Sequence, residues 1–233
     1  MYKKFLITSI LSLICVLFSY AQEDSIAITP PEEQVDASNP LSKGLNFYQI
    51  GRFKPNKVEL QNIVNYTTNK WFIRAAVDYT KPYDDNVYYG SSSFMVSRIF
   101  DLAKNNDEWK VQTGFGVVVS NSKVNGNAIG VNFVGVQMND KWKFVELFTY
   151  QSNGTIEAQY GAYYKFTQNG NWEIRTHPRM LFNTQTGVHE IPVGIGIGHT
   201  MRTPMFTTYI FCEPEYDLYN NEYLIYSGVK FIF

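Results

Sequence analysis

From residue 45 onward the chain is a series of runs in which apolar and polar side chains alternate. In 156–166, Ile156, Ala158, Tyr160, Ala162, Tyr164 and Phe166 share one face, and Glu157, Gln159, Gly161, Tyr163 and Lys165 the other. In 172–182, Trp172, Ile174, Thr176, Pro178, Met180 and Phe182 oppose Glu173, Arg175, His177, Arg179 and Leu181. In 189–199, Ile191, Val193, Ile195 and Ile197 oppose Pro192, Gly194, Gly196 and Gly198, and 71–79 repeats the alternation from Trp71 to Tyr79. A period of two is the mark of a strand, whose successive side chains point to opposite faces. Clusters such as "NNDE", "NSKVNGN", "QSNG" and "NTQTG" separate the runs as turns. Eleven runs follow Lys57 and a weaker twelfth spans 45–53. No amphipathic helix stands between them, which excludes α/β crossovers. Two runs are irregular: 142–150 is apolar on both faces with Glu146 on the aromatic one, and Arg98 interrupts 94–102.

Alternation suits a soluble sandwich, with its apolar face inward, and a transmembrane barrel, with that face outward. Three features favour the barrel. Charged residues sit in mid-strand: Arg175, His177 and Arg179 on one run, Glu213, Glu215 and Asp217 on another. Aromatics gather near run ends (Trp71 and Tyr79, Trp109, Trp142 and Tyr150, Trp172 and Phe182), as interfacial belts do. The last run places Tyr223, Ile225, Val229, Phe231 and the terminal Phe233 on one face. An end of this kind resembles the C-terminal signature by which the barrel-assembly machinery recognises outer-membrane barrels, through strand-edge addition. The expected fold is therefore an all-β, transmembrane, antiparallel up-and-down barrel over 45–233, with twelve strands, or ten if short runs merge; bacterial single-chain barrels have even numbers. Composition agrees: aromatics are 16% and charged residues 18% of 233 residues.

The N-terminus reads as a secretory leader. Lys3 and Lys4 precede the apolar run 5–18, and Ser19 and Ala21 are small residues suited to cleavage after Ala21. The apolar run is shorter than the ~20 residues a spanning helix needs. Ile14 before Cys15 argues against lipid attachment, and without the leader Cys212 has no partner for an internal disulfide. Residues 22–44 are polar and acidic and read as a flexible segment, either a plug for the barrel or a periplasmic tether. Without Lys3 and Lys4 the chain carries 18 basic and 21 acidic residues, so no basic surface points to nucleic acid.

Several sequence features carry little chemistry. Gly194, Gly196 and Gly198 alternate within a strand, unlike a phosphate loop, and read as a bare patch of wall that another backbone or a solute can approach. His177, His189 and His199 lack metal-ligand spacing, so no metal or cofactor is expected. No nucleophile elbow is present, so no enzyme is expected either.

The segment "NWEIRTHPRMLFNTQTGVHEIPVGIGIGHTM" (171–201) resembles a pattern in Bacteroidota-type outer-membrane transporter-like proteins, relatives of the phenol-degradation-pathway outer-membrane family that are often mislabelled "neuromedin U". "NPLSKG" (39–44), "NKWFIRAAVDYT" (69–80) and "EWKVQTGFGVVVS" (108–120) are similar to other parts of it. His199 departs from the basic residue common after the glycines, and several loops are shorter. The resemblance implies an outer-membrane barrel handling small or apolar compounds and supplies no catalytic residue. The sequence thus predicts a channel or transporter-like barrel in the outer-membrane bilayer, with Arg175, His177, Arg179, Glu213, Glu215 and Asp217 lining its lumen. These charges would either filter solutes or pair with one another to fill a narrow interior. A structural barrel with a plugged lumen and a soluble periplasmic protein with a hydrophobic ligand are the alternatives.

Overall fold

The computed structural model describes residues 36–102, 108–167 and 170–233. The leader and most of the segment 22–44 lie outside the described residues. The strands are β1 (Gly44–Phe53), β2 (Lys57–Thr67), β3 (Trp71–Pro82), β4 (Tyr88–Asp101), β5 (Lys110–Ser122), β6 (Gly126–Met138), β7 (Trp142–Gln151), β8 (Thr155–Lys165), β9 (Trp172–Thr176), β10 (Arg179–Asn183), β11 (Gly187–Glu190), β12 (Pro192–Gly194), β13 (Gly196–Arg202), β14 (Thr207–Asp217) and β15 (Glu222–Ile232). Each of β1 to β7 pairs antiparallel with the next, and β8 pairs with both β9 and β10. β9 and β10 are two halves of one barrel strand, and β11, β12 and β13 are three pieces of another, running alongside β9, β10 and β14. β14 pairs with β15, and β15 returns to β1. The result is the expected all-β fold: a closed antiparallel up-and-down barrel of twelve strands. The weak run 45–53 falls in β1, and the terminal run falls in β15, which closes the barrel with Phe47 opposite Phe231.

The closing seam is tight at the terminal end of the barrel, where β1 begins and β15 ends. Phe233 N–H donates to the Leu45 carbonyl at 3.0 Å. Gly44 has φ +96°, and a Cβ there would lie 2.7 Å from the Phe233 carbonyl oxygen, so only glycine fits. The interruption between β9 and β10 falls at His177 and Pro178, where proline has no N–H to give the ladder.

The two faces are distributed as in a membrane barrel. Ile195, Ile197, Val131, Phe115 and Val117 are more than half exposed on the outside, whereas Asn46, Ser97, Glu213, Asp217 and Lys230 are at most 1% exposed within. A soluble barrel would invert this arrangement. Trp71, Trp142 and Trp172 ring the terminal end, and Tyr79, Tyr150 and Tyr223 ring the far end, all on the outer surface. Arg98, which breaks the pattern of its run, belongs to the terminal ring: its guanidinium lies 5.1 Å from the centre of the Trp71 ring, against which it stacks.

Glu146 is exposed halfway along the outer face of β7, beside Gly135 and Tyr160, with no hydrogen-bond or ion-pair partner among the described residues. Were this face set against lipid, a carboxylate at mid-depth would oppose insertion, though less strongly than a lysine or arginine would. Glu146→Leu should therefore stabilise the folded barrel by about 1 kcal/mol, read from urea titration in lipid vesicles. An unchanged or lowered midpoint would mean that Glu146 has a favourable partner in the membrane.

Candidate functional site in the barrel lumen

The lumen has two unlike walls. On β3 to β7 the inward residues Phe72, Met95, Val118, Val134, Val145 and Leu147 form an apolar cluster. From β8 round to β2 the inward residues are mostly charged, phenolic or amide. Strand geometry brings these together: Tyr163 stands opposite Arg175, and Glu213 stands opposite Tyr226, which is opposite Arg52.

Arg175 is the centre of the polar wall. Its Nε donates to Glu213 at 3.0 Å and its Nη1 to the Tyr209 hydroxyl at 3.2 Å. Its guanidinium lies 3.8 Å from the centre of the Phe211 ring, with Tyr163 and Tyr226 at 5.3 and 5.6 Å. A buried arginine thus has its charge met by one carboxylate and its faces by aromatic rings. The Tyr209 hydroxyl donates onward to Glu173. Glycine makes this approach possible: a Cβ on Gly196 would lie 2.2 Å from the Cys212 carbonyl oxygen and 2.5 Å from Glu213 Cα. The bare patch of wall is occupied by the neighbouring strand.

Glu213 has a second role. The amide of His177, released where β9 stops, donates to Glu213 at 2.7 Å. A side chain thereby replaces a ladder bond that the Pro178 interruption removes. The His177 ring is held between Tyr163 and Gln159, its Nε2 lying 3.1 Å from Gln159 Oε1. Gln159 in turn donates to Glu157, which accepts from Arg179 at 3.0 Å. Nearer the far end, Arg52 pairs with Glu190 at 2.6 Å and Lys54 with the same carboxylate.

Residues 36–43, the end of the polar segment, pack inside the terminal end. Ala37, Asn39, Leu41 and Ser42 are all under 7% exposed. Asp36 meets Lys143 at 3.0 Å and Lys165 at 3.1 Å, and Ser38 donates to Glu173 at 2.8 Å. Lys230 donates to the Asn39 carbonyl at 2.8 Å, while Leu41 joins the apolar wall. Burial works against the charge of Asp36, but Lys143 and Lys165 more than offset it and hold its carboxyl below the usual range.

Between this segment and the far end lies a cavity of about 260 Å³. Of the six residues predicted to line the lumen, Arg175, His177 and Arg179 border the cavity. Glu213 faces inward behind Arg175, and Glu215, 4% exposed, lies against the bare backbone of Gly194. Asp217 caps the β14–β15 turn, accepting from the amides of Ile191, Tyr219 and Asn220 at 2.9–3.3 Å. None of these three acids borders the cavity. Arg52, Arg74, Glu190 and Lys230 do border it and were missed, because a lone charge in an alternating run carries no mark of its partner across the barrel.

No protein-family model matches the chain, and no curated protein is similar to it in sequence. Solved structures do match its shape. One is "KdgM porin in complex with disordered oligogalacturonate", with TM-score 0.60 at 10% identity over 81% of this chain and 99% of that one. Another is the NanC porin, with TM-score 0.56 at 13% identity over 82% of this chain and 99% of that one. At such identities the likeness shows a shared barrel fold.

Proposed function

We propose that this barrel sits in the bacterial outer membrane and passes small solutes through a narrow, charge-lined bore. The observation that carries the reading is the inside-out barrel whose interior retains a cavity of about 260 Å³ among arginines and carboxylates. A protein that needed its lumen only as a core would fill it. The porin fold of its structural neighbours supports the same reading. On this account the leader is removed after Ala21, and the barrel-assembly machinery reads Tyr223, Ile225, Val229, Phe231 and Phe233, which precede closure as an open strand edge. The relationship to the phenol-degradation-pathway group belongs to the same proposal and leaves the solute open to apolar as well as charged compounds.

The bordering charges should set ion preference. Arg179→Glu replaces a cavity cation with an anion beside Glu157 and should shift the reversal potential in planar bilayers toward cation selectivity. An unchanged reversal potential would remove Arg179 from the conduction path. A second reading, a barrel whose bore is closed by its own N-terminal segment, is favoured by the packing of residues 36–43 inside the terminal end. The two readings differ in conductance before and after that segment is removed.

A further inference from the structure

We propose that the lumen cavity is a binding site for a small organic carboxylate with a compact apolar body, anchored by Arg74. The proposal deepens the channel reading by naming the chemical class its interior would recognise.

Charge is the first argument. The cavity is bordered by Arg52, Arg74, Arg175, Arg179 and Lys230, against only Glu59, Asp78 and Glu190. Four of the cations are engaged: Arg52 by Glu190, Arg175 by Glu213, Arg179 by Glu157 and Lys230 by the Asn39 carbonyl. Arg74, pointing inward from β3, has neither a hydrogen bond nor an ion pair among the described residues. Its guanidinium feels the charge of Glu157, but the hydrogen bonds of that carboxylate go to Arg179 and Gln159. Guanidinium presents a planar fork of donors that matches a carboxylate bidentately, and a half-buried one whose donors are not hydrogen-bonded is a poised anion site.

Unmet polar atoms are the second argument. Arg52 Nη2 is buried without a hydrogen-bond partner, and the Tyr48 hydroxyl has only the Asn65 side chain beside it; all three residues border the cavity. Arg52 Nη2 is a donor left open where nearly every buried donor is normally satisfied. Asp78 Oδ1, also unmet, could accept from a hydroxyl on the ligand.

The shape of the cavity narrows the ligand further. Phe72 lies beside Arg74 on β3, and with Val134, Val145 and Leu147 it bounds the cavity with side chains that offer nothing to a polar group. A volume of about 260 Å³ lies just below the range of pockets for drug-sized ligands, which begins at roughly 300 Å³. One ring carrying a carboxylate meets both walls. An inorganic anion would leave the apolar side empty.

The test uses benzoate as probe, with neutral benzamide as its isostere, on the full-length refolded protein in detergent. Titration calorimetry should show saturable benzoate binding and at least tenfold weaker benzamide binding. Arg74→Gln should weaken benzoate by about tenfold or more, and Arg74→Lys by less, since a point charge lacks the fork. A gel shift on heating confirms that each variant is folded, and the benzoate–benzamide comparison on the unaltered protein stands if one is not. Equal binding of the two probes, no benzoate binding, or a folded Arg74→Gln variant that binds benzoate undiminished would overturn the site. Bilayer conductance separates this result from the channel reading: a non-conducting barrel that binds benzoate through Arg74 keeps the site and loses the channel.

Discussion

Glu213→Ala is expected to destabilise the folded barrel by about 3 kcal/mol or more. Glu213 is fully buried and, among the described residues, is the only carboxylate bonded to Arg175, itself 3% exposed. Removing it strands a guanidinium in an interior where Phe211 and Tyr226 can touch its face but cannot neutralise it. The His177 amide, which the Pro178 interruption deprives of a ladder partner, loses its acceptor in the same step. The two losses reinforce each other, because each leaves a desolvated polar group unpaired. Arg175→Met combined with Glu213→Ala removes the stranded charge and should recover a large part of the loss, giving a coupling energy of about 1–3 kcal/mol in a double-mutant cycle. Urea unfolding of the refolded protein in lipid vesicles measures it. If Glu213→Ala unfolds at the original midpoint, water reaches the pair freely and the interior around Arg175 is open rather than packed.

Deleting residues 22–43 should raise single-channel conductance several-fold while leaving a heat-modifiable barrel. Its described part, 36–43, is held by charge and by apolar contact: Asp36 between Lys143 and Lys165, Leu41 against the β3–β7 wall. None of its described residues, 36–43, belongs to the strand ladder, so the barrel can close without them. Its removal clears the terminal end and exposes Lys143, Lys165 and Lys230 to the bore, which should also increase the preference for anions. Planar-bilayer recording reads both quantities. Unchanged conductance and selectivity would mean that the constriction lies elsewhere, among the side chains of the polar wall.

The fold was legible because the outside of the barrel is simple. Ile191, Val193, Ile195 and Ile197, or Trp71 to Tyr79 at every second place, need no partner to be read as a lipid-facing row. The interior was harder for the same reason that it matters. Val145 and Leu147 face inward between Phe144, Glu146 and Phe148, so that run is apolar on both faces and its inner wall is hidden in the sequence. Arg175 and Glu213 were visible as stripes, but 38 positions separate them, and only closure shows that they pair. Arg74 looked like any other polar-face residue, since its distinction is the lack of a hydrogen bond among the described residues. Residues 36–43 have a composition that buries poorly in an apolar core, yet a polar lumen accepts Asn39 and Ser42 as readily as water does.

The central claim is a closed barrel embedded by its apolar outer face. Membrane fractionation followed by electrophoresis with and without boiling tests it most directly. The account predicts that the protein is recovered with the outer membrane, needs detergent for extraction, and migrates differently once heat opens the barrel. A protein that is soluble without detergent and shows no shift would contradict the account, because Ile195 and Ile197 would then have to be turned inward and Arg175 and Glu213 outward.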